Sequence, residues 1–211
     1  MKITKLLAIA VLIALMSCSP TMTKIWTKEN YKGKAFEKIL VVAITKHNTK
    51  AGQVFEDAVV QELKKKGITA TNSTNVLPES LRNGNLSDEQ IEENVRKENY
   101  DGILVAWLAD VQTKQITLSN PDGYRSEVSN YRSYINNGIQ FDYAPDDVRV
   151  ETTYVLETKL FDAKISGAAE AALWSGQSTL TEPESFYAGA KEYASLLVKT
   201  LTNTGIIKAP K

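Results

Sequence analysis

The sequence predicts a single α/β domain in which a mixed sheet of about five strands is flanked by three helices. Two apolar runs, KILVVAI at residues 38–44 and ILVAWLA at 103–109, are typical of strands covered on both faces. Residues 148–160 alternate between two faces, one of which carries most of the charge, as in a strand with one wet face. These patterns predict three parallel strands followed by an antiparallel hairpin.

The first strand, residues 38–44, is followed by a clear amphipathic helix at 51–66. Phe55 and the apolar residues at helical spacing after it form one stripe. Glu56 and Asp57 lie early in this helix, where negative charge complements the helix dipole. Gly67 follows its last lysines as a C′ glycine.

The second strand and second helix are shorter. The strand is predicted at 68–71 and leads into a polar loop. Ser87 and Gln90 form a capping box, and the helix that they begin runs to about Asn99. The third strand, 103–109, follows a turn. Right-handed crossovers then make the first three strands parallel.

The second half of the domain is predicted as a hairpin and a final helix. The hairpin pairs 148–160 with 169–179 across a turn at 162–167. The helix starts near Pro183 and ends at Gly205. Its buried stripe comprises Phe186, Ala190, Tyr193, Leu197 and Leu201. The domain covers residues 37–205, and residues 206–211 are predicted to be a C-terminal tail.

Residues 112–147 form a long excursion between the two halves. A connection of this length without periodicity is uncommon in a compact domain unless it is functional or disordered. It is either an extended hairpin or a loop folded over one face. Its aromatic side chains are candidates for contact with a protein partner, since tyrosine is enriched at recognition surfaces. They are Tyr124, Tyr131, Tyr134, Phe141 and Tyr143.

The first eighteen residues have the parts of an export signal. Two lysines precede an apolar run from Leu6 to Met16, and a serine stands before Cys18. The run is too short for a membrane-spanning helix, which needs roughly 20 residues. The step Leu-Met-Ser-Cys at 15–18 resembles the lipobox of bacterial lipoproteins, in which the chain is cut before the cysteine and the cysteine is acylated.

This resemblance implies a lipoprotein signal peptide at residues 1–17 and a lipid anchor at Cys18. One acyl chain binds a membrane only marginally, whereas several on one cysteine hold the protein there. Residues 18–36 are then a lipidated tether, because they are mostly polar and lack periodicity. Ser19 is compatible with sorting to the outer membrane. We therefore expect a lipid-anchored envelope protein that faces the periplasm.

Charge and composition exclude several classes of function. Lys plus Arg and Asp plus Glu are both 25, and removal of residues 1–17 leaves two more acidic than basic residues. Such a chain has no electrostatic footprint for nucleic acid. Cys18 is the only cysteine and is committed to lipid, and His47 is the only histidine. We expect no cofactor and no metal, because one histidine makes a zinc site improbable.

Motifs for catalysis are also missing from the sequence. It has no phosphate-binding G-x-x-x-x-G-K-[ST], no G-x-G-x-x-G after a strand and no G-x-S-x-G elbow. We therefore predict a non-enzymatic protein. A hydrolase that uses acidic side chains is a further alternative. Its candidates are Asp101, Asp110, Asp142, Asp146 and Asp147.

Polar loops after the first two strands form the alternative functional site. In a parallel sheet, ligands bind at the carboxyl ends of the strands. The loops at 45–52 and after residue 71 therefore predict a pocket for a small polar ligand. Its candidate residues are Thr45, His47, Asn48, Ser73 and Asn75. Trp107 and Trp174 are predicted to be core residues.

The layout of the domain resembles that of known envelope lipoproteins. The Leu-Phe-Asp step at 160–162, a turn and Trp-Ser-Gly at 174–176 before the last helix look like the closing segment of small Gram-negative lipoproteins. The opening at 38–68 is similar in layout to the curli secretion lipoprotein and to lipoprotein activators of penicillin-binding proteins. The resemblance implies an accessory role in secretion or cell-wall assembly, with an envelope protein or a second copy as partner.

Overall fold

A computed structural model describes residues 20–45, 49–76, 88–118, 147–165 and 168–208. The strands in these ranges are β1 (Thr21–Thr27), β2 (Lys34–Ala35), β3 (Lys38–Ile44), β4 (Thr69–Asn72), β5 (Gly102–Leu118), β6 (Asp147–Asp162), β7 (Ala172–Thr181) and β8 (Ile207–Lys208). The helices are α1 (Thr49–Lys65), α2 (Asp88–Lys97), the single turn α3 (Ala168–Ala171) and α4 (Phe186–Asn203), and a 3₁₀ turn covers Ser73–Asn75.

The mixed α/β class and the three long helices are as the sequence predicted. Six strands form one sheet in the order β1-β7-β6-β5-β3-β4. β3 pairs in parallel with both β4 and β5, and β6 pairs antiparallel with β7. The predicted parallel unit is therefore present, and so is the predicted hairpin, but its second strand starts at Ala172 because residues 168–171, predicted as strand from 169 onward, form the turn α3.

The strand count was wrong because β1 was missed. Residues 21–27, predicted to be part of the tether, pair antiparallel with β7 and form an edge of the sheet. In their sequence, TMTKIWT, five side chains are exposed, two are partly buried and none is buried. Apolar patterning therefore gives little signal for such a strand.

A second pairing joins the two ends of the domain. β2 and β8 form a separate parallel pair, Lys34 opposite Ile207 and Ala35 opposite Lys208. Ile207 is fully buried, and the backbone carbonyl of Ile206 accepts a hydrogen bond from the Tyr31 hydroxyl at 3.0 Å. Residues 206–208 are thus part of the fold, which corrects the prediction of a C-terminal tail beginning at 206.

The main core lies between the sheet and helices α1 and α4. Phe55, Val59 and Leu63 form the buried stripe of α1. The Phe55 ring lies 5.2 Å from the ring of Tyr193 on α4, measured between centroids. Trp174 of β7 is fully buried in the same cluster, as predicted. The opposite face of β3 contributes to a second, smaller cluster with α2, formed by Leu40, Val95 and Tyr100.

One predicted helix end agrees with the structure and another does not. Gly67 closes α1 with φ of 76°, a conformation that glycine adopts without strain. α4 begins at Phe186 rather than near Pro183, and the Ser185 side chain caps it by accepting a hydrogen bond from the Ala188 amide at 3.1 Å. Phe186 is 57% exposed, because the first side chain of a helix points away from the turns that follow it. It does not belong to the buried stripe.

The chain divides into two compact units. The larger contains residues up to Gln112 and from Thr153 onward, and the smaller spans 113–152. The predicted excursion at 112–147 begins inside β5, which continues to Leu118, and β6 starts at Asp147. The remainder of that excursion lies outside the described residues.

Candidate functional site

A buried carboxylate lies at the carboxyl ends of β3 and β4. Glu56 on α1 is 1% exposed. Its Oε1 accepts hydrogen bonds from the backbone amide of Ala43 at 2.8 Å and from the hydroxyl of Ser73 at 2.5 Å. Its Oε2 accepts one from the amide of Thr74 at 3.3 Å. One side chain therefore ties α1 to the ends of two strands.

Burial controls the ionisation of this carboxyl group. Loss of solvent raises the pKa of Glu56 above the ordinary value of 4.5. The hydrogen bonds from Ser73, Ala43 and Thr74 act in the opposite direction, because they favour the charged form. The net direction is upward. Glu56 was predicted to lie early in the helix and to complement its dipole, but α1 begins at Thr49 and has no acidic residue in its first turn.

Two polar atoms beside Glu56 have no hydrogen-bond partner among the described residues. The side-chain amide of Asn72 donates to Asp57 Oδ1 at 2.5 Å, which leaves Asn72 Oδ1 buried and unpaired. Thr74 Oγ1 is also buried without a partner. Asn72 is 6% exposed. Unpaired buried acceptors are uncommon in proteins, so these two mark this end of the sheet as a candidate polar site.

Three of the five residues predicted to bind a small ligand lie within the described ranges. Thr45 stands at the end of β3, where its side chain faces Gly52 of α1. Ser73 is fully buried and its hydroxyl is used by Glu56, so it does not face solvent. Asn75 is exposed. His47 and Asn48 lie outside the described residues.

A second candidate site is an open groove on the sheet, on the face opposite α1 and α4. It has a volume of about 250 Å³, and Lys24, Trp26, Glu157, Ser175 and Gln177 are among the residues that line it. They form two cross-strand rows. Trp26 of β1 is opposite Ser175, which is opposite Lys159 of β6, while Lys24 is opposite Gln177, which is opposite Glu157.

Lys159, the last residue of the first row, contacts Trp107 of β5. The ammonium group of Lys159 lies 5.0 Å from the centre of the Trp107 ring, within the range of a cation–π contact. The same ammonium lies 3.4 Å from Glu157 Oε1. Trp107 is half-buried rather than a core residue like Trp174. This part of the sheet surface thus offers two partly exposed indole rings with charged and polar side chains between them.

Other predicted residues either support the backbone or lie beyond the described ranges. The Asp101 carboxylate accepts hydrogen bonds from the amides of Glu37 at 2.8 Å and Lys38 at 3.0 Å. Asp110 accepts from the Gln112 side chain at 2.9 Å. Outside the described residues lie Cys18, Asp142, Asp146 and the aromatic candidates Tyr124, Tyr131, Tyr134, Phe141 and Tyr143.

Two tyrosines have shifted pKa values for structural reasons. Burial raises the pKa of Tyr31 to about 12, and burial raises that of Tyr193, whose hydroxyl hydrogen-bonds to Thr158. Neither lies in an open site. Among the described residues, no group of three or more His, Cys, Asp or Glu side chains is placed to hold a metal ion. Nor does any helix in those ranges have the length and hydropathy of a membrane span.

Glu56, Asn72, Thr74 and Trp26 are among the site residues that sequence reasoning missed. Glu56 stands on the buried side of α1, beside Phe55 and three residues before Val59, so its position in the apolar stripe was the available signal. Trp26 had been assigned to the tether. Its segment, TMTKIWT, shows no regular alternation, since Ile25 and Trp26 are adjacent, and it therefore carries no clear strand signal.

Comparison with known proteins gives structural neighbours only. No family model and no curated protein matches the chain. A PelC dodecamer from Paraburkholderia phytofirmans is 15% identical, with a TM-score of 0.46, over 91% of this chain and 99% of that one. The lipoprotein GNA1162 from Neisseria meningitidis is 16% identical, with a TM-score of 0.43, over 81% of this chain and 99% of that one.

Proposed function

We propose that this chain is a non-enzymatic envelope lipoprotein, anchored through acylated Cys18 and facing the periplasm from the outer membrane. The observation that carries the proposal is the Leu-Met-Ser-Cys step at the end of a short apolar run. The first described strand begins at Thr21, only three residues after Cys18. The folded domain is therefore held close to the bilayer.

An accessory role fits the chemistry of the described acidic residues. Glu56 and Asp101 are buried and hold backbone amides, so they serve the fold. Glu157 is paired with Lys159 on the sheet surface. Each of these three carboxylates is thus engaged by a partner within the fold.

The proposed partner is another envelope protein or a second copy. The excursion predicted at residues 112–147 would contact this partner in secretion or cell-wall assembly. Replacing residues 119–146 with a short Gly-Ser turn leaves every described strand intact. In vivo crosslinking should then lose a specific crosslinked species while the melting temperature of the purified protein stays nearly unchanged. An unchanged crosslinking pattern would contradict this role.

A second candidate function is binding of a small polar ligand at the ends of β3 and β4. It is favoured by the buried, unpaired Asn72 Oδ1 and Thr74 Oγ1, which are acceptors for a ligand donor. A metabolite that binds there should raise the melting temperature by mass action, and Asn72→Ala should remove the shift. The exposed Gln61→Ala on α1 serves as the control that keeps it.

A further inference from the structure

The edge strand β1 exposes two apolar side chains next to each other. Ile25 is 54% exposed and Trp26 is 49% exposed. Successive side chains of a strand point to opposite faces of the sheet, so these two flank the edge from both sides. A partner lying on one face would contact only one of them. A surface that meets the sheet edge-on contacts both.

A regular strand is poorly suited to add to this edge. The pairing of β1 with β7 shifts register between Met22 and Lys24, so Thr23 is the extra residue of a bulge. Lys24 follows on the same edge and is exposed. Bulges and edge lysines are the devices by which proteins prevent edge-to-edge strand pairing. The features of β1 therefore favour a surface without a backbone ladder over a peptide strand or a second copy.

The short distance between β1 and Cys18 indicates that this surface is the membrane. Thr21 is three residues after Cys18, and three residue steps span at most about 11 Å. With Cys18 acylated, the start of β1 lies within that distance of lipid headgroups. Because the anchor already holds the domain there, even a weak contact is made at high effective concentration.

The side chains at this edge have the chemistry of the membrane interface. Tryptophan is enriched at the headgroup level, where one part of its ring is apolar and its N–H remains solvated. Ile25 adds apolar surface beside it, and a lysine such as Lys24 is attracted to anionic headgroups. The exposed backbone groups of β1 remain hydrated in that layer, so the edge need not enter the hydrocarbon core.

We propose that the exposed edge of β1, through Lys24, Ile25 and Trp26, rests in the headgroup layer of the membrane that anchors the chain. This inference depends on the proposed acylation of Cys18. It adds a second point of attachment, which fixes the orientation of the domain on the membrane. A lipid anchor alone would leave the domain free to rotate about its tether.

Depth-dependent fluorescence quenching tests this contact. The full lipidated protein is reconstituted into vesicles of phosphatidylethanolamine and phosphatidylglycerol, with or without phosphatidylcholine brominated near the top of its acyl chains. The chain has three tryptophans, so variants assign the signal. Brominated lipid should quench the wild type and Trp107→Phe, and this quenching should be lost in Trp26→Phe. Ile25→Thr should reduce it. Melting temperatures confirm that each variant is folded.

Two results would overturn the inference. The first is equal quenching of the wild type and Trp26→Phe. The second is a Trp26 that is shielded from acrylamide without being quenched by brominated lipid. That result would show that a protein covers the edge of β1. The intact mass of the same preparation separates this failure from that of the proposed function. A mass without acyl chains refutes the anchor itself, whereas an acylated protein without Trp26 quenching refutes only the contact.

Discussion

Removal of the Glu56 carboxylate should destabilise the fold severely although the residue touches no ligand. Glu56→Ala leaves three donors without their acceptor: the partly buried amides of Ala43 and Thr74 and the buried hydroxyl of Ser73. Each donor left without an acceptor costs about 1–3 kcal/mol and removal of the buried charge offsets part of that, so we expect a net loss of about 3–5 kcal/mol. For a domain of this size that corresponds to a fall in Tm of roughly 10 °C.

Urea denaturation followed by circular dichroism measures this cost. Ser73→Ala removes one of the three hydrogen bonds and should lower the free energy of unfolding by about 1.5–3 kcal/mol. Gln61→Ala, an exposed change on the same helix, should alter it by less than about 0.5 kcal/mol. A Glu56→Ala variant that is no less stable than Gln61→Ala would refute the role assigned to Glu56.

The pH dependence gives an independent test of the same group. Because burial raises the pKa of Glu56 above 4.5 in the folded state, the folded protein binds more protons than the unfolded chain between the two pKa values. The stability that this group contributes is complete below about pH 4.5 and is lost as the pH rises through the folded pKa. Glu56→Gln cannot titrate. The free-energy difference between wild type and Glu56→Gln should therefore change with pH in that direction, and a difference that favours the wild type increasingly at higher pH would contradict it.

Three further substitutions test one packing contact and two sets of hydrogen bonds. Gly102→Ala places a Cβ 2.6 Å from the buried ring of Phe36 and should cost about 1–3 kcal/mol in urea unfolding, whereas an effect under 0.5 kcal/mol would contradict that packing. Tyr193→Phe leaves the buried Thr158 hydroxyl without its partner and should cost about 1–2 kcal/mol, with an unchanged urea midpoint as the contrary result. Asp101→Ala frees two backbone amides before β3 and should cost about 2–4 kcal/mol, which Asp101→Asn should partly restore.

The strongly patterned elements could be predicted from the sequence. β3 and the apolar part of β5 are continuous apolar runs because both of their faces are covered, and α1 repeats its apolar residues at helical spacing. β1 could not be recognised in the same way. At the edge, five of its seven side chains are exposed and the other two are only partly buried, so burial leaves no periodic pattern in its sequence. β2 and β8 are two residues each and depend on long-range pairing that no local pattern reports.

The candidate sites could likewise be predicted only in part. Topology alone predicted that the ends of β3 and β4 would bring Thr45 and Ser73 to one region of the fold, because parallel strands end at the same edge. It did not predict that Ser73 would be used by Glu56, since a carboxylate in an apolar stripe can point either to water or to a strand end. The groove at Trp26 depends on β1, so it was missed together with that strand.

The state of Cys18 in cells is the measurement on which the account depends. Mass spectrometry of the protein purified from membranes should show a mature chain that begins at Cys18 and carries acyl chains. Cys18→Ser should abolish the modification and release the protein from the membrane fraction. A wild-type chain recovered unmodified and free of the membrane, with its leader intact or cut elsewhere, would contradict the anchored protein described above.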